Sequence, residues 1–126
     1  ARALKAARAQ VTLQNMKLLD LGIVQFVQDY DEKFDNITND NFKERLKPYV
    51  PDNEIFRAPE LDAEVGYFFN PSLTNKSLAE IESPSQTVML FESVDGKLLF
   101  RYDERAAVAF ADGHVKLITR DEAKNL

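Results

Sequence analysis

The chain has 126 residues, enough for one domain with its own core, and its 44% hydrophobic and 29% charged content is ordinary for a water-soluble globular protein. A formal net charge of −5 argues against nucleic acid as the main partner, and the lack of cysteine excludes disulfides and thiolate metal sites. No run approaches the roughly 20 apolar residues that a membrane span needs.

Residues 1–30 contain no proline and one glycine, Gly22, and are rich in Ala, Leu, Gln, Lys and Arg. Strong helix formers in such a run predict one helix, about 45 Å long at 1.5 Å per residue. Met16, Leu19, Ile23, Phe26, Val27 and Tyr30 recur at three- and four-residue steps and predict its buried stripe. A helix of that length exceeds the width of a domain this size, so its far end is expected to project. From Ala1 to Gln10 the only large apolar side chain is Leu4, among Arg2, Lys5 and Arg8. The chain lacks an initiator Met and starts inside this pattern, as a fragment of a longer protein would.

From Asp29 to Glu44, "DYDEKFDNITNDNFKE" sets six carboxylates against Lys33 and Lys43. A calcium loop of EF-hand type fails here. Counting from Asp29, Asp31 fits, but Lys33 and Phe34 stand where an oxygen ligand and a glycine are required. The stretch reads as a solvated loop leading to a short helix through Leu46, with Thr38 or Asn39 as N-cap. Five prolines then divide the middle of the chain. "LKPYVPDNEIFRAPE" predicts a short helix, a turn and an extended segment anchored by Tyr49, Ile55 and Phe56. "GYFFNPSLTNKSLAEI" predicts an aromatic cluster (Tyr67, Phe68, Phe69), a turn, and a helical turn at Ser77 to Ile81.

The last third alternates with period two and predicts strands in "QTVMLFES", "KLLFRYDE", "RAAVAFA" and "HVKLITR", joined by turns at Asp95-Gly96 and Asp112-Gly113. Val88 and Leu90 are expected to share a face, as are Leu98, Phe100 and Tyr102, then Val108 and Phe110, then Val115 and Leu117. The fold class is α+β in a single domain over 1–126. A long helix (1–30) packs on a small antiparallel sheet (86–119), with an irregular segment (31–85) between them.

Signals for chemistry are sparse. His114, the only histidine, follows the Asp112-Gly113 turn, where both turn residues are expected at positive φ. No nucleophile elbow, zinc motif or phosphate loop accompanies it. Glu60, Asp62 and Glu64 alternate and read as a solvated edge. No catalytic residue and no cofactor site is therefore assigned, and no enzyme is expected.

Four segments nevertheless carry a resemblance: "AARAQVTLQNMKLLDLGIVQFVQDYDEKF", "LKPYVPDNEIFRAPE", "GYFFNPSLTNKSLAEIESPSQTVMLFE" and "AAVAFADGHVKLI". In this order the chain resembles the prepilin-like H-x9-DG group of type IV pilins and type II secretion pseudopilins. The resemblance implies the pilin-like fold, with a processed hydrophobic helical stem upstream of Ala1. This chain would then be the water-soluble part of a subunit anchored in the inner membrane, its head in the periplasm or at the cell surface. The partners implied are other pilin or pseudopilin subunits in a fibre, with no nucleic acid.

Departures are equally specific. Tyr102 stands where the family has its histidine, so no site is carried over. Thr12 and Ala58 stand where many relatives have cysteines that pair, so the helix is expected to be held to "IFRAPE" by packing, with Phe56 as the contact. Some pseudopilins hold calcium near the sheet. The oxygen candidates here are Asp95, Asp103, Glu104 and Asp112, of which Asp95 and Asp112 are already explained as turn residues. The charge separation along the first 44 residues suggests that Arg2, Lys5 and Arg8 pair with a neighbour's Asp29–Asp40 run. The alternative function is a binding module for a polysaccharide or a secreted protein, whose sign would be exposed members of Tyr67, Phe68 and Phe69.

Overall fold

The computed structural model describes residues 2–126. Helix α1 (Arg2–Asp29) is continuous, and its expected stripe of Met16, Leu19, Ile23, Phe26 and Val27 is buried. It stops because Asp31 and Glu32 take left-handed conformations (φ 58° and 61°), which lets the Glu32 N–H close back on the Val27 carbonyl at 2.9 Å. Tyr30 falls past that end and so leaves the helical period: it is 38% exposed rather than buried. Its ring stacks on Phe26 at 4.2 Å, and the Arg45 guanidinium lies over both rings.

At Gly22 the helix comes up tightly against the irregular segment, since a Cβ there would overlap the Val50 Cγ2 methyl. Helix α2 (Phe42–Leu46) forms where expected, but its N-cap position is Asn41. Asn39 is used elsewhere. Its side chain accepts from the Phe69 N–H (2.7 Å) and donates to the Phe69 carbonyl (2.9 Å), closing an edge of the sheet. Of the expected anchors, Phe56 is fully buried, while Tyr49 and Ile55 are half-buried. The helical turn expected near Ser77 is present at Leu78–Glu80 with a capping box.

Strands β1 (Tyr67–Phe69), β2 (Val88–Glu92), β3 (Arg105–Phe110) and β4 (Val115–Thr119) form one antiparallel sheet in that order. The α1-on-sheet arrangement is the expected α+β architecture. Two details of strand assignment are corrected. "KLLFRYDE" is not a strand; the three-residue β1, inside the segment read as irregular, takes the place beside β2 instead. The alternation in 97–104 has a different cause. Leu98 and Phe100 cover the sheet face that looks away from α1, where Ala106, Val108, Phe110 and Ile118 need burial, whereas Tyr102 turns to the helix side. Val88 and Leu90 do not share a face, because a bulge between them flips the alternation: Val88 packs on the outer cluster and Leu90 in the main core. A short terminal helix, α3 (Arg120–Ala123), contributes Ala123 to the outer cluster.

The β3–β4 connection is a hairpin, as expected, but with three loop residues. Gly113 donates to the Phe110 carbonyl and Phe110 to the His114 carbonyl, both at 2.9 Å. Only Gly113 has positive φ (96°), the pattern of a type I turn closed by a bulge. Ala111 is drawn out of the ladder because its N–H donates to the Thr87 carbonyl at 2.8 Å.

Candidate functional site

Helix α1 is apolar on two sides. Its inner stripe lies on the sheet, yet Leu4, Val11, Leu18, Leu21 and Val24 on the outer side are each 41–55% exposed. From Gln10 to Gln28 every exposed position is Val, Leu or Gln except Lys17, and Lys17 turns aside to donate to the Gly113 carbonyl at 3.2 Å. Leu4, Val11 and Leu18 are spaced by sevens, and Ala7, Gln14 and Leu21 form the interleaved row, the spacing at which helices pair along a seam. A solvated helix normally carries charge on its outer face. From Gln10 to Gln28 this one presents about 28 Å of helix nearly without it.

The irregular segment builds a wall beside the seam. Asn15 donates to the Arg57 carbonyl (3.0 Å), Arg8 pairs with Glu60 (2.6 Å), and Gly22 admits Val50. Between wall and helix runs an open cleft of about 610 Å³, lined by Ala7, Val11, Ile55, Ala58 and Leu61 among others. A second cleft of about 180 Å³ continues past Leu18 and Leu21 to Tyr49 and Pro51. Arg8 thus has its acidic partner within the same chain, whereas the sequence reading gave it one on a neighbour.

Under the helix lies a polar network that the sequence reading missed. Glu92, at the end of β2, is fully buried. Its carboxylate accepts from the Thr12 hydroxyl (3.1 Å), the Tyr102 phenol (3.0 Å) and Arg101, whose Nε and Nη2 lie at 3.1 and 2.8 Å. The Thr12 and Tyr102 hydroxyl oxygens are also 2.8 Å apart. With one proton each, these two groups make two of the three hydrogen bonds among Thr12, Tyr102 and Glu92 at any moment. Arg101 also donates to the Pro59 carbonyl. Next to it, Asn15 donates to the Tyr67 phenol at 3.2 Å. Burial pushes both phenols above their ordinary range, so they remain neutral donors. The two positions where the resemblance leads to cysteines diverge. Thr12 binds β2 and Tyr102, while Ala58 is buried against Gly66, and polar ties from Arg8 and Asn15 supplement the packing expected of Phe56. Partners 80 and 90 residues apart left no local signal in the sequence; the one available hint was an acid at the inward end of an apolar strand.

His114 engages its own hairpin. Its ring stacks on Phe110 (centroids 4.3 Å apart), and its Nδ1 lies 2.5 Å from Asp112 Oδ1. Desolvation opposes the ionised Asp112, but the hydrogen bonds from His114 outweigh it and hold that carboxyl below its ordinary range. Asp20, from α1, abuts this turn with 5% exposure and with Oδ1 lacking a hydrogen-bond partner. Burial pushes its carboxyl up to about 6, with Lys17 and His114 opposing and Asp112 adding to the rise.

The calcium candidates are dispersed into local contacts. Asp95 accepts from the Lys97 N–H (3.0 Å), Glu104 pairs with Arg120 (3.0 Å), Asp112 pairs with His114, and Asp103 is an exposed left-handed turn residue (φ 52°). Among the described residues no three carboxylates or imidazoles converge in a way that could hold a metal ion. Glu60, Asp62 and Glu64 are exposed and lie outside any strand. Tyr67 and Phe69 are buried in the core, whereas Phe68 is half-buried on the opposite face, packed on Phe91 and against Gly96. Among the described residues no helix is long and apolar enough to cross a membrane. Comparison with protein-family models, with curated proteins and with solved structures returns no match.

Proposed function

We propose that this chain is the head of a fibre-forming subunit of the type IV pilin or type II secretion pseudopilin kind, acting by assembly rather than by catalysis. One observation carries the reading: the nearly uncharged, exposed outer face of α1, with clefts beside it that a neighbouring helix would fill. An apolar seam of that length favours a partner surface equally poor in charge, because a buried charge opposite it would lack a counterpart. The outer face of the same helix in another copy meets that requirement.

One further feature supports the reading. The buried Glu92 network clamps α1 to the sheet, as a helix transmitting load from a stem would require. In this account the head sits outside the cytoplasm on a stem seated in the inner membrane.

The test is the intact mass and N-terminal sequence of the protein purified from its native membrane. The account expects a mature chain that extends upstream of Ala1 by roughly 20 apolar residues. A native chain that starts near Ala1 removes the stem and, with it, this function.

A further inference from the structure

At the start of α1, Arg2 and Lys5 share a notch of about 90 Å³ with Arg105, the first residue of β3, and with Tyr102, Asp103 and Leu117. All three cations are exposed, and among the described residues none of them forms an ion pair. Asp103 is the acid in the notch, which leaves an excess of two positive charges there. The excess stands out in a chain of net charge −5. No acid precedes Asp20, whereas Asp29, Asp31, Glu32 and Asp35 gather beyond the other end of the helix. Arg2 and Asp29 are about 40 Å apart along α1, several times the Debye length of roughly 8 Å at physiological salt. A negative surface that touches the notch is therefore screened from the acidic pole.

We propose that this notch is a contact site for phosphate-bearing anionic lipid headgroups at a bilayer surface. The cations come from two elements held in fixed relation, so they present a preformed cluster rather than a flexible basic tail. The choice of a bilayer over a free anion rests on the fibre-subunit reading, in which the stem leaves α1 at this same end. Each cation near an anionic surface is worth about a fivefold change in partitioning.

The test is flotation of the chain with phosphatidylglycerol or phosphatidylcholine vesicles at low salt, for the wild type and for a Lys5→Glu/Arg105→Glu variant shown by circular dichroism to be folded. The expected result is binding to phosphatidylglycerol alone, lowered at least 20-fold in the variant and abolished near 0.5 M salt. Equal binding to both lipids, or binding unchanged by the double charge reversal, overturns the proposal. So does complete displacement by millimolar inorganic phosphate at constant ionic strength, which would mark a free-anion site. Leu18→Glu, on the helix seam, is expected to float like the wild type. Loss of fibre assembly in that variant with vesicle binding retained therefore separates the two readings, and a failure of vesicle binding leaves the fibre reading standing.

Discussion

Replacing Asp20 by Asn should make the protein more stable, and only above mildly acidic pH. Asp20 is 5% exposed, one of its oxygens has no partner, and the other faces Gly113, where a Cβ would lie only 3.0 Å from it. Burial raises its pKa from 3.8 to about 6. The folded state therefore holds this proton more tightly than the unfolded chain does, so stability falls as pH rises from about 4 through 6 and then levels off. At about 1.4 kcal/mol per pH unit, the rise is worth about 3 kcal/mol. Asn keeps the shape and removes the charge, together with its repulsion from Asp112. Urea denaturation of wild type and Asp20→Asn at pH 4 and pH 7.5 should give curves that nearly coincide at pH 4. At pH 7.5 the variant should be more stable by about 2–3 kcal/mol, with m unchanged. A variant no more stable than wild type at pH 7.5 would refute the account of Asp20 as a buried, poorly compensated carboxylate.

The Glu92 network makes a prediction of opposite sign: Arg101→Met leaves a fully buried carboxylate without its cation and should cost about 3 kcal/mol, read by chemical denaturation. Adding Glu92→Leu should recover at least half of that loss, since Thr12 and Tyr102 keep each other as partners; a double variant as unstable as the single one would contradict this. Gly22→Ala should gain up to about 1 kcal/mol of helix propensity but lose about 1–3 kcal/mol to overlap with Val50, a net destabilisation. A stabilised Gly22→Ala protein would show that the helix does not approach the 49–61 segment so closely.

Much of the fold was legible because it rests on local rules. Helix α1 follows from 30 residues of good helix formers with a 3.6-residue stripe, and the β3–β4 hairpin from alternation around Asp112-Gly113. The errors arose where tertiary demand replaced local pattern. The 97–104 segment alternates because it lids the outer sheet face, and a pattern of period two does not distinguish a lid from a strand. The true edge strand, Tyr67–Phe69, is three residues long and is fixed by Asn39 from a distant loop. The bulge after Val88 inverts facing without changing composition. The Thr12–Glu92–Tyr102 contacts join residues far apart in the chain, which no spacing rule reaches. The outer seam was legible in part, since between Gln10 and Gln28 the sequence holds only two charges, Lys17 and Asp20. Helical geometry turns Asp20 away from the Val11–Leu18–Leu21 row, while Lys17 lies on the same face as Leu21 and is drawn aside only by the Gly113 carbonyl.

The most direct test of that seam uses the chain's lack of cysteine. Val11→Cys/Leu21→Cys in the protein as its native cell makes it, exposed to a short bifunctional thiol cross-linker, should give a ladder of multimers. Lys97→Cys, an exposed site away from α1, should remain monomeric. If the thiols at positions 11 and 21 react with a small maleimide yet yield only monomers, the outer face of α1 is solvated in the cell and the assembly account is wrong.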